Sequence, residues 1–207
     1  MIDGPVGQLE LMVHRAGQEG ALAALGLLAV ICHPHPQHGG TMDNKVVTTL
    51  MRTYRDLGIQ VVRFNFRGVG KSQGSFAHAI GEQDDLLAVL AWANNQWPEY
   101  GVLLAGFSFG SSVAAQVSYK LSVRHLTLVA PPVERYPYAC DNAFGCPLCV
   151  IQGGEDERVN AEGVYAWVKT LSSPSELISY PKAGHFFHGY LSELKTDLTQ
   201  VLLRQLE

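Results

Sequence analysis

The sequence predicts an α/β fold in which a mainly parallel β-sheet carries helices on both faces. Two observations predict it. Short apolar runs alternate along most of the chain with longer stretches of helical periodicity. Several of these runs, such as LLAVIC and VLLAG, contain no charged or amide side chain, which is expected of strands buried on both faces. Ligands of such sheets bind beyond the carboxyl ends of the strands, so the functional site is expected in the loops there.

The predicted elements follow from these two kinds of pattern. Strand runs are short and rich in branched side chains, whereas helical stretches repeat apolar residues every three or four positions. In chain order, the predicted strands are 9–14, 27–32, 59–66, 102–106, 125–130, 147–152 and 176–180. The predicted helices are 45–57, 80–96, 111–121, 161–171 and 190–206.

The length and charge of the chain limit its organisation and its partners. At 207 residues the chain can bury a substantial core, and no charge block or low-complexity linker divides it. Residues 1–207 are therefore predicted to form a single domain. The net charge is −4, and lysine and arginine form no cluster, so neither a nucleic-acid nor a membrane partner is expected. A small-molecule substrate is expected, and the oligomeric state is left open.

No segment of the chain is predicted to enter a membrane. The longest apolar run, 21–32, has 12 residues including a glycine, whereas a bilayer span takes about 18 to 20. The first residues, MIDGPVG, lack the basic and apolar segments of a secretory signal. A cytoplasmic location is therefore expected.

The four cysteines do not resemble the framework of a small secreted domain, so reduced thiols are expected. Cys146 and Cys149 form a CxxC pair, but no second pair stands at zinc-ribbon spacing. We interpret the pair as small buried side chains rather than as a metal or redox site. The other two cysteines are Cys32 and Cys140.

A glycine-rich loop, FRGVGKSQGSF at 66–76, follows the third predicted strand and contains GKS. The Walker phosphate-binding motif needs glycine where Asn65 stands. Gly68, Gly70 and Gly74 miss the dinucleotide pattern GxGxxG by one residue, and no predicted helix begins directly after them. We therefore expect no nucleotide and no other cofactor, and we interpret the loop as one wall of the site.

The segment GFSFG at 106–110 lies between the strand VLLAG and the helix SSVAAQVSYKL. In that context GxSxG predicts a nucleophile elbow, a tight turn that needs glycine two residues before and after a strained serine. The turn projects the hydroxyl of Ser108 above the sheet, and the positive end of the next helix faces the anion that develops. Ser108 is therefore the candidate nucleophile.

A serine nucleophile needs a base and a third group that orients the base. In this architecture the acid and then the histidine follow the serine along the chain. GGEDERV follows the sixth predicted strand and supplies Asp156 as the candidate acid, with Glu155 and Glu157 predicted as solvated surface charges. AGHFFHG follows the last strand and supplies His185 as the candidate base, since a preceding glycine frees its loop. His188 is predicted as a supporting or surface residue.

The segment HPHPQHGG at 33–40 raises the question of a metal site. His33, His35 and His38 match the HxHxxH part of the zinc-binding signature HxHxDH, but Gln37 stands in place of the aspartate. A neutral amide is a poor ligand for zinc, which prefers imidazole, thiolate and carboxylate. No metal is therefore assigned to the site, and a metallohydrolase built on the three histidines is kept as an alternative.

Together these motifs resemble one family over nearly the whole chain. The ordered set HPHPxHGGTMDNKVV, RFNFRGVGKSQGSF, GFSFG, GGEDERV and AGHFFHG is similar to compact, lidless α/β-hydrolases of the serine type, described as predicted hydrolases or esterases. The resemblance implies the α/β-hydrolase fold without a cap domain. The family carries an aspartate where this chain has Ala77, a difference that concerns substrate contacts rather than the chemistry.

The resemblance also implies an oxyanion hole made of two backbone N–H groups. One belongs to the residue after the nucleophile, Phe109. The other comes from the loop after 27–32, where relatives have histidine-glycine-X and this chain has HPH, so His35 is the first choice. The two prolines of the loop have no N–H and stiffen it, while Gln37, His38 and the glycines remain alternative donors.

The predicted function is hydrolysis of carboxylic esters, or of thioesters, through an acyl-enzyme on Ser108. Only 131–145 separates the strands between which many related folds insert a lid, so an open site for small or extended acyl groups is predicted, with PPVERYPY at its rim. One alternative is a peptidase or amidase, because the same three residues serve amides. Another is a catalytically silent ligand-binding protein. The physiological substrate and its acyl length are left open.

Overall fold

The computed structural model describes residues 1–17, 19–138 and 143–206. In these ranges the strands are β1 (Ile2–Gly4), β2 (Gly7–Leu9), β3 (Leu11–His14), β4 (Leu27–Cys32), β5 (Gln60–Phe64), β6 (Gly101–Phe107), β7 (His125–Val129), β8 (Leu148–Gly153) and β9 (Ser175–Tyr180). The α-helices are α1 (Lys45–Asp56), α2 (Gly81–Gln96), α3 (Phe109–Ser118), α4 (Ala161–Val168) and α5 (Leu191–Leu206).

Seven of the strands form one sheet in the order β3-β5-β4-β6-β7-β8-β9. β3 runs antiparallel to β5, and the other neighbouring pairs are parallel. The predicted mainly parallel sheet is therefore confirmed. Because β4 to β9 all point the same way, the loops that follow them meet at one edge of the sheet.

Helices cover both faces of the sheet, and β4 shows how the sequence specifies this. Its side chains alternate, so that Val30 packs in an apolar cluster with α2, α3 and α4, whereas Ile31 packs in a second cluster with α1 and α5. All six residues of β4 are buried. Burial on both faces is the reason that this strand is a continuous apolar run in the sequence.

The segment 9–14, predicted as one strand, is two strands that are broken at Glu10. The N–H of Glu10 donates to the Oγ of Ser72, and its carbonyl accepts from the N–H of Asn65. Its carboxylate accepts from Nδ2 of Asn65 and from the N–H of Lys71. These partners all come from the loop after β5, so the periodicity of 9–14 does not show them. β1 pairs with β2 in a hairpin that the periodicity does not predict either.

The other predicted elements are confirmed, with their ends displaced by up to three residues. The helix predicted at 111–121 is α3, which begins at Phe109 because the turn at Ser108 leads directly into it. The helix predicted at 161–171 is α4, which ends at Val168. Across the described ranges, no helix combines the length and the apolar character needed to cross a membrane.

The cysteines that the structure describes are buried free thiols. Cys32 and Cys149 have no exposed surface, and Cys146 is 7% exposed. Burial raises the pKa of all three thiols, that of Cys146 to about 11. They therefore pack as small apolar side chains, as predicted. Cys140 lies outside the described residues.

Candidate active site

Ser108 lies in the turn between β6 and α3 in a strained backbone conformation, with φ 53° and ψ −121°. Its N–H donates to the carbonyl of Val129 at 2.8 Å, which ties the turn to the end of β7. A side chain at Gly106 would overlap the backbone of Gly110, and one at Gly110 would overlap the carbonyl of Cys32. Close backbone contacts therefore require both glycines of GFSFG.

The structure brings Ser108, His185 and Asp156 together. The Nε2 of His185 lies 3.1 Å from the Oγ of Ser108, and its Nδ1 lies 3.0 and 2.9 Å from the two carboxylate oxygens of Asp156. With a carboxylate at Nδ1, the hydrogen of a neutral imidazole belongs on that nitrogen, and Nε2 directs its lone pair at the serine hydroxyl. This arrangement can pass a proton from the serine to the histidine.

Glycines let the acid loop and the histidine loop pack against each other. A side chain at Gly153 would overlap the carbonyl of Ala183, and one at Gly154 would overlap the carbonyl of Pro181. The N–H of Glu155 also donates to the carbonyl of Ala183, at 3.0 Å. The two glycines before the acidic cluster therefore set the distance between the acid and the histidine.

The carboxylate of Asp156 is held in its charged form. Its side chain has no exposed surface, and this burial alone would raise its pKa. The hydrogen bond with His185, and those donated to Oδ1 by the N–H groups of Arg158 and Val159 at 2.8 Å, outweigh burial and lower the pKa. A charged carboxylate in this place stabilises an imidazolium on His185.

Two further residues, Gln152 and Glu157, support this arrangement, and the sequence patterns assigned this role to neither of them. Gln152 is buried at the end of β8, and its Nε2 lies 3.2 Å from Oδ2 of Asp156. It is the polar residue that ends an otherwise apolar strand, which is a signal that could have identified it. Glu157 accepts from the N–H of His185 at 3.0 Å, and this hydrogen bond lowers the pKa of its carboxyl group. Glu157 is exposed, as predicted for a solvated charge, and its hydrogen bond with His185 is a contact that the sequence did not predict.

Two other residues of these loops lie at the surface. Glu155 is exposed, as predicted for a solvated charge, and His188 is exposed as well.

The ring of Phe107 packs against the ring of His185, with centroids 5.0 Å apart. Packing by Phe107 and a hydrogen bond donated by the N–H of His185 to Glu157 thus hold the candidate base from two sides.

His33 is a structural residue of the loop after β4. It has no exposed surface, its Nε2 accepts from the N–H of Phe66 at 3.0 Å, and its Nδ1 donates to the carbonyl of Pro34 at 2.6 Å. Burial lowers the pKa of the imidazole to about 4, so the ring is neutral. Both ring nitrogens are occupied, and the ring joins the loop after β4 to the loop after β5.

His35 and His38 stack on each other, with ring centroids 4.3 Å apart. The Nδ1 of His35 accepts from the N–H of Gln37 at 3.2 Å. Burial, with smaller contributions from the charges of His38 and His78, lowers the pKa of His35. Within 1–17, 19–138 and 143–206, no group of three or more histidine, cysteine, aspartate or glutamate side chains is arranged to hold a metal ion.

The loop after β4 uses several of its N–H groups internally. Those of Gln37, His38 and Gly40 all bond to His35, the first to its ring and the other two to its carbonyl at 3.0 Å. The N–H groups of His35 and Phe109 have no acceptor in the part of the chain that the structure describes. Three of the alternative donors are therefore engaged, whereas the two first choices are free.

Aromatic rings form a wall beside the candidate nucleophile. The ring of Phe109 lies 5.1 Å from that of His35 and 5.6 Å from that of Tyr136, measured between centroids. Phe76 completes the wall, 5.7 Å from Phe109. Phe76 belongs to the glycine-rich loop and supports Phe109 and His35 without lining the cleft itself, so the interpretation of that loop as one wall of the site stays a prediction.

These groups surround an open cleft of about 320 Å³. The segment PPVERYPY contributes Pro132, Arg135 and Tyr136, in agreement with the predicted rim. The other loops contribute His35, His38, Ser108, Arg158, His185 and Phe186.

Comparison with known proteins identifies the family. A family model described as serine aminopeptidase S33 matches residues 28–141, which is more than half of the chain. The chain belongs to the α/β serine hydrolases. The hydrolase is similar to an α/β serine hydrolase homologue from Coxiella burnetii, with 47% identity, a TM-score of 0.92, and coverage of 97% of this chain and 95% of that one.

Two further relatives agree with this assignment. A structure from Xanthomonas campestris, described as an α/β serine hydrolase without lid, shares 42% identity and a TM-score of 0.91 over 98% of this hydrolase and 92% of that chain. An uncharacterized protein of Rickettsia prowazekii is 34% identical over 97% of this chain and 87% of its own. The predicted lidless α/β-hydrolase fold is therefore confirmed.

Proposed function

We propose that this hydrolase cleaves carboxylic esters through an acyl-enzyme on Ser108. The observation that carries the proposal is the chain of contacts from Ser108 through His185 to Asp156. The oxygen of Ser108 attacks the ester carbonyl while Nε2 of His185 accepts its proton, and Asp156 stabilises the imidazolium. His185 returns the proton to the leaving alcohol, and water then hydrolyses the acyl-enzyme by the same proton transfers.

The oxyanion of the tetrahedral intermediate is assigned to the N–H groups of Phe109 and His35. Both are free of acceptors in the described chain, and the ring contact of 5.1 Å keeps the two residues adjacent. α3 begins at Phe109, so its positive end adds to the stabilisation. His33 holds the loop of His35 in place before substrate binds. One preorganised N–H donor of an oxyanion hole lowers the activation free energy by about 2.7 to 4 kcal/mol.

A peptidase that uses the same residues is the second candidate, and the match to the serine aminopeptidase model favours it. An aminopeptidase has to hold the positive α-amino group of its peptide. The charged side chains of the cleft are Arg135, Arg158 and Glu157, and Glu157 is already bonded to the N–H of His185. Two cations and one engaged anion oppose binding of an ammonium group, which supports esters over peptide N-termini.

Labelling with a small fluorophosphonate tests the nucleophile. Intact mass is measured on wild type and on Ser108→Ala, each with and without a chelator. We expect one adduct on wild type, no adduct on the variant and no effect of the chelator. An unlabelled wild type that still binds ligands would favour the silent scaffold, and loss of ester hydrolysis on chelation would favour the metallohydrolase.

Steady-state kinetics test the substrate class. The comparison uses kcat/KM for p-nitrophenyl esters of short and long acids, for matching thioesters, and for amino-acid p-nitroanilides with a free α-amino group. We expect the esters to be cleaved faster than the anilides, and all turnover to require Ser108. Faster cleavage of the anilides would overturn the ester proposal in favour of the peptidase.

A further inference from the structure

We propose that Arg135 and Arg158 form an anion subsite, so that the preferred substrate is an ester that carries a carboxylate away from the scissile bond. This inference rests on the proposed ester hydrolysis and adds the chemical class of the substrate. Two neighbouring cavities share the same arginines.

A second cavity of about 110 Å³ adjoins the main cleft. The two cavities share Pro132, Arg135, Arg158 and Val159 as lining residues. The arginines therefore lie where the cleft that contains Ser108 extends between the loops after β7 and β8. A substrate that extends from Ser108 toward the second cavity therefore comes close to both guanidinium groups.

Both guanidinium groups have N–H donors that form no hydrogen bond with the described residues. Arg135 is exposed and has no ion-pair or hydrogen-bond partner for its side chain among the described residues. The Nε of Arg158 forms an exposed ion pair with Oε1 of Glu157 at 3.8 Å, a distance too long for a hydrogen bond, so its N–H donors stay unused. The other oxygen of Glu157 already accepts from the N–H of His185.

Arg158 is held in place beside the candidate base. Its guanidinium carbon lies 5.2 Å from the centroid of the Phe186 ring, a cation–π contact, and the Phe186 ring lies 5.1 Å from that of His185. Its backbone N–H donates to Asp156, which fixes the position of its Cα. A guanidinium that lies over an aromatic face keeps its edge free for the two oxygens of a carboxylate.

Two acidic residues, Glu134 and Glu157, lie beside the arginines and limit the positive charge of the subsite. Glu134 lines the second cavity, and its Oε1 accepts from Nδ2 of Asn160 at 2.9 Å. One oxygen of each glutamate is engaged by a donor of the chain, that of Glu134 by Asn160 and that of Glu157 by the N–H of His185. The guanidinium edges are open, so an incoming carboxylate meets unused donors there.

Matched ester pairs test the subsite and show on which side of the bond the carboxylate belongs. For the acyl side, mono-p-nitrophenyl adipate is compared with p-nitrophenyl hexanoate; for the leaving side, 3-carboxyphenyl butyrate is compared with phenyl butyrate. The readout is the ratio of kcat/KM for the anionic ester to that for the neutral ester. Rates with Ser108→Ala are subtracted as background. We expect a ratio above one in at least one pair.

Substitution of the arginines should lower that ratio. In Arg135→Gln and Arg158→Gln we expect it to fall about tenfold, since a charge-assisted hydrogen bond is lost, and added salt should lower it in wild type. Arg124→Gln is the matched control, because Arg124 is exposed and precedes β7 at the opposite edge of the sheet. An unchanged ratio in both variants, or a preference of wild type for the neutral esters, would overturn the subsite.

Failure of the subsite can be separated from failure of the proposed function. Hydrolysis of the neutral esters with an arginine-independent ratio rejects the subsite alone. If wild type hydrolyses none of the four esters, the proposed function fails, and isothermal titration with adipate decides the subsite. Binding that weakens in the two arginine variants but not in Arg124→Gln supports it, and equal or absent binding overturns it.

Discussion

At the scale of the residue, Asp156 and Glu157 are neighbouring carboxylates that serve the same histidine in different ways. Asp156 is buried and faces the ring of His185 at Nδ1, where it meets the charge that develops during the reaction. Glu157 is exposed and accepts from the backbone N–H of His185, where no charge develops. Their surroundings, and not their chemical type, therefore separate the two roles.

Amide substitution of each carboxylate should show the difference. Asp156→Asn is expected to lower kcat about 10⁴-fold, because the amide favours the imidazole tautomer with its hydrogen on Nε2. Glu157→Gln keeps an acceptor oxygen for the N–H of His185 and is expected to lower kcat by less than about tenfold. The check is kcat on the fastest ester, with circular dichroism to establish folding. Equal losses in two folded variants would contradict the assignment.

At the scale of the element, the start of α3 is pressed against the end of β4. Gly110 has no side chain, so the helix approaches the carbonyl of Cys32 closely and brings the N–H of Phe109 beside the loop of His35. A backbone carbonyl cannot rotate away as a flexible side chain can. The position of the whole helix therefore depends on this glycine.

Gly110→Ala is expected to lower the free energy of unfolding by about 3 kcal/mol, as overpacking against backbone does. It should also lower kcat, since α3 carries the N–H of Phe109. Gly17→Ala is the matched control, because no atom lies within 4 Å of a side chain built there. Urea unfolding gives the free energy of unfolding of both variants, and hydrolysis of the fastest ester gives their kcat. Unfolding curves for Gly110→Ala that coincide with those of the control would show that the helix can shift without cost.

At the scale of the whole molecule, a buried polar network lies inside the apolar layer between the sheet and the pair α1 and α5. The hydroxyl of Tyr54 donates to Oγ1 of Thr127 at 2.7 Å, and Nε2 of His125 lies 2.8 Å from Oε1 of Gln205. Burial, partly offset by the hydrogen bond with Gln205, lowers the pKa of His125 to about 4. The folded protein therefore holds this imidazole neutral.

The two buried imidazoles predict that the folded state weakens in mild acid. In the unfolded chain histidine binds a proton near pH 6.5, whereas His33 and His125 in the folded protein do so near pH 4. Unfolding thus takes up protons between these values, and the free energy of unfolding falls as the pH falls. Each imidazole should account for about 2 kcal/mol between pH 7 and pH 5.

Urea unfolding at the two pH values checks this. His125→Gln should reduce the pH dependence by about 2 kcal/mol, whereas His188→Gln, at an exposed position, should leave it as in wild type. Wild-type stability that is the same at both pH values would contradict the account. If wild type and both variants lose the same free energy of unfolding between the two pH values, groups other than His125 cause the pH dependence.

Much of the fold and of the candidate site could be predicted because the physical causes are local. The alternation of side chains along β4 decides which face each residue meets, and a continuous apolar run follows when both faces are buried. The turn GFSFG is local in part: a side chain at Gly106 would overlap the backbone of Gly110 four residues away, whereas one at Gly110 would overlap Cys32 at the end of the neighbouring strand β4. Ser108, Asp156 and His185 each follow a strand, and because these strands run parallel, all three residues are expected at the same edge of the sheet.

The sequence by itself thus determined the layers of the fold, the turn of the nucleophile and which residues the strand ends bring together. Only the tertiary structure decided the break at Glu10, the contact of Glu157 with His185, and the engagement of Gln37 and His38 inside their own loop. It also decided that Arg135 and Arg158 border the same two cavities. These features depend on contacts between residues that lie far apart in the sequence or in different loops. Periodicity along the chain predicts which face of an element is buried, but it does not predict which side chain or backbone group will be the hydrogen-bond partner.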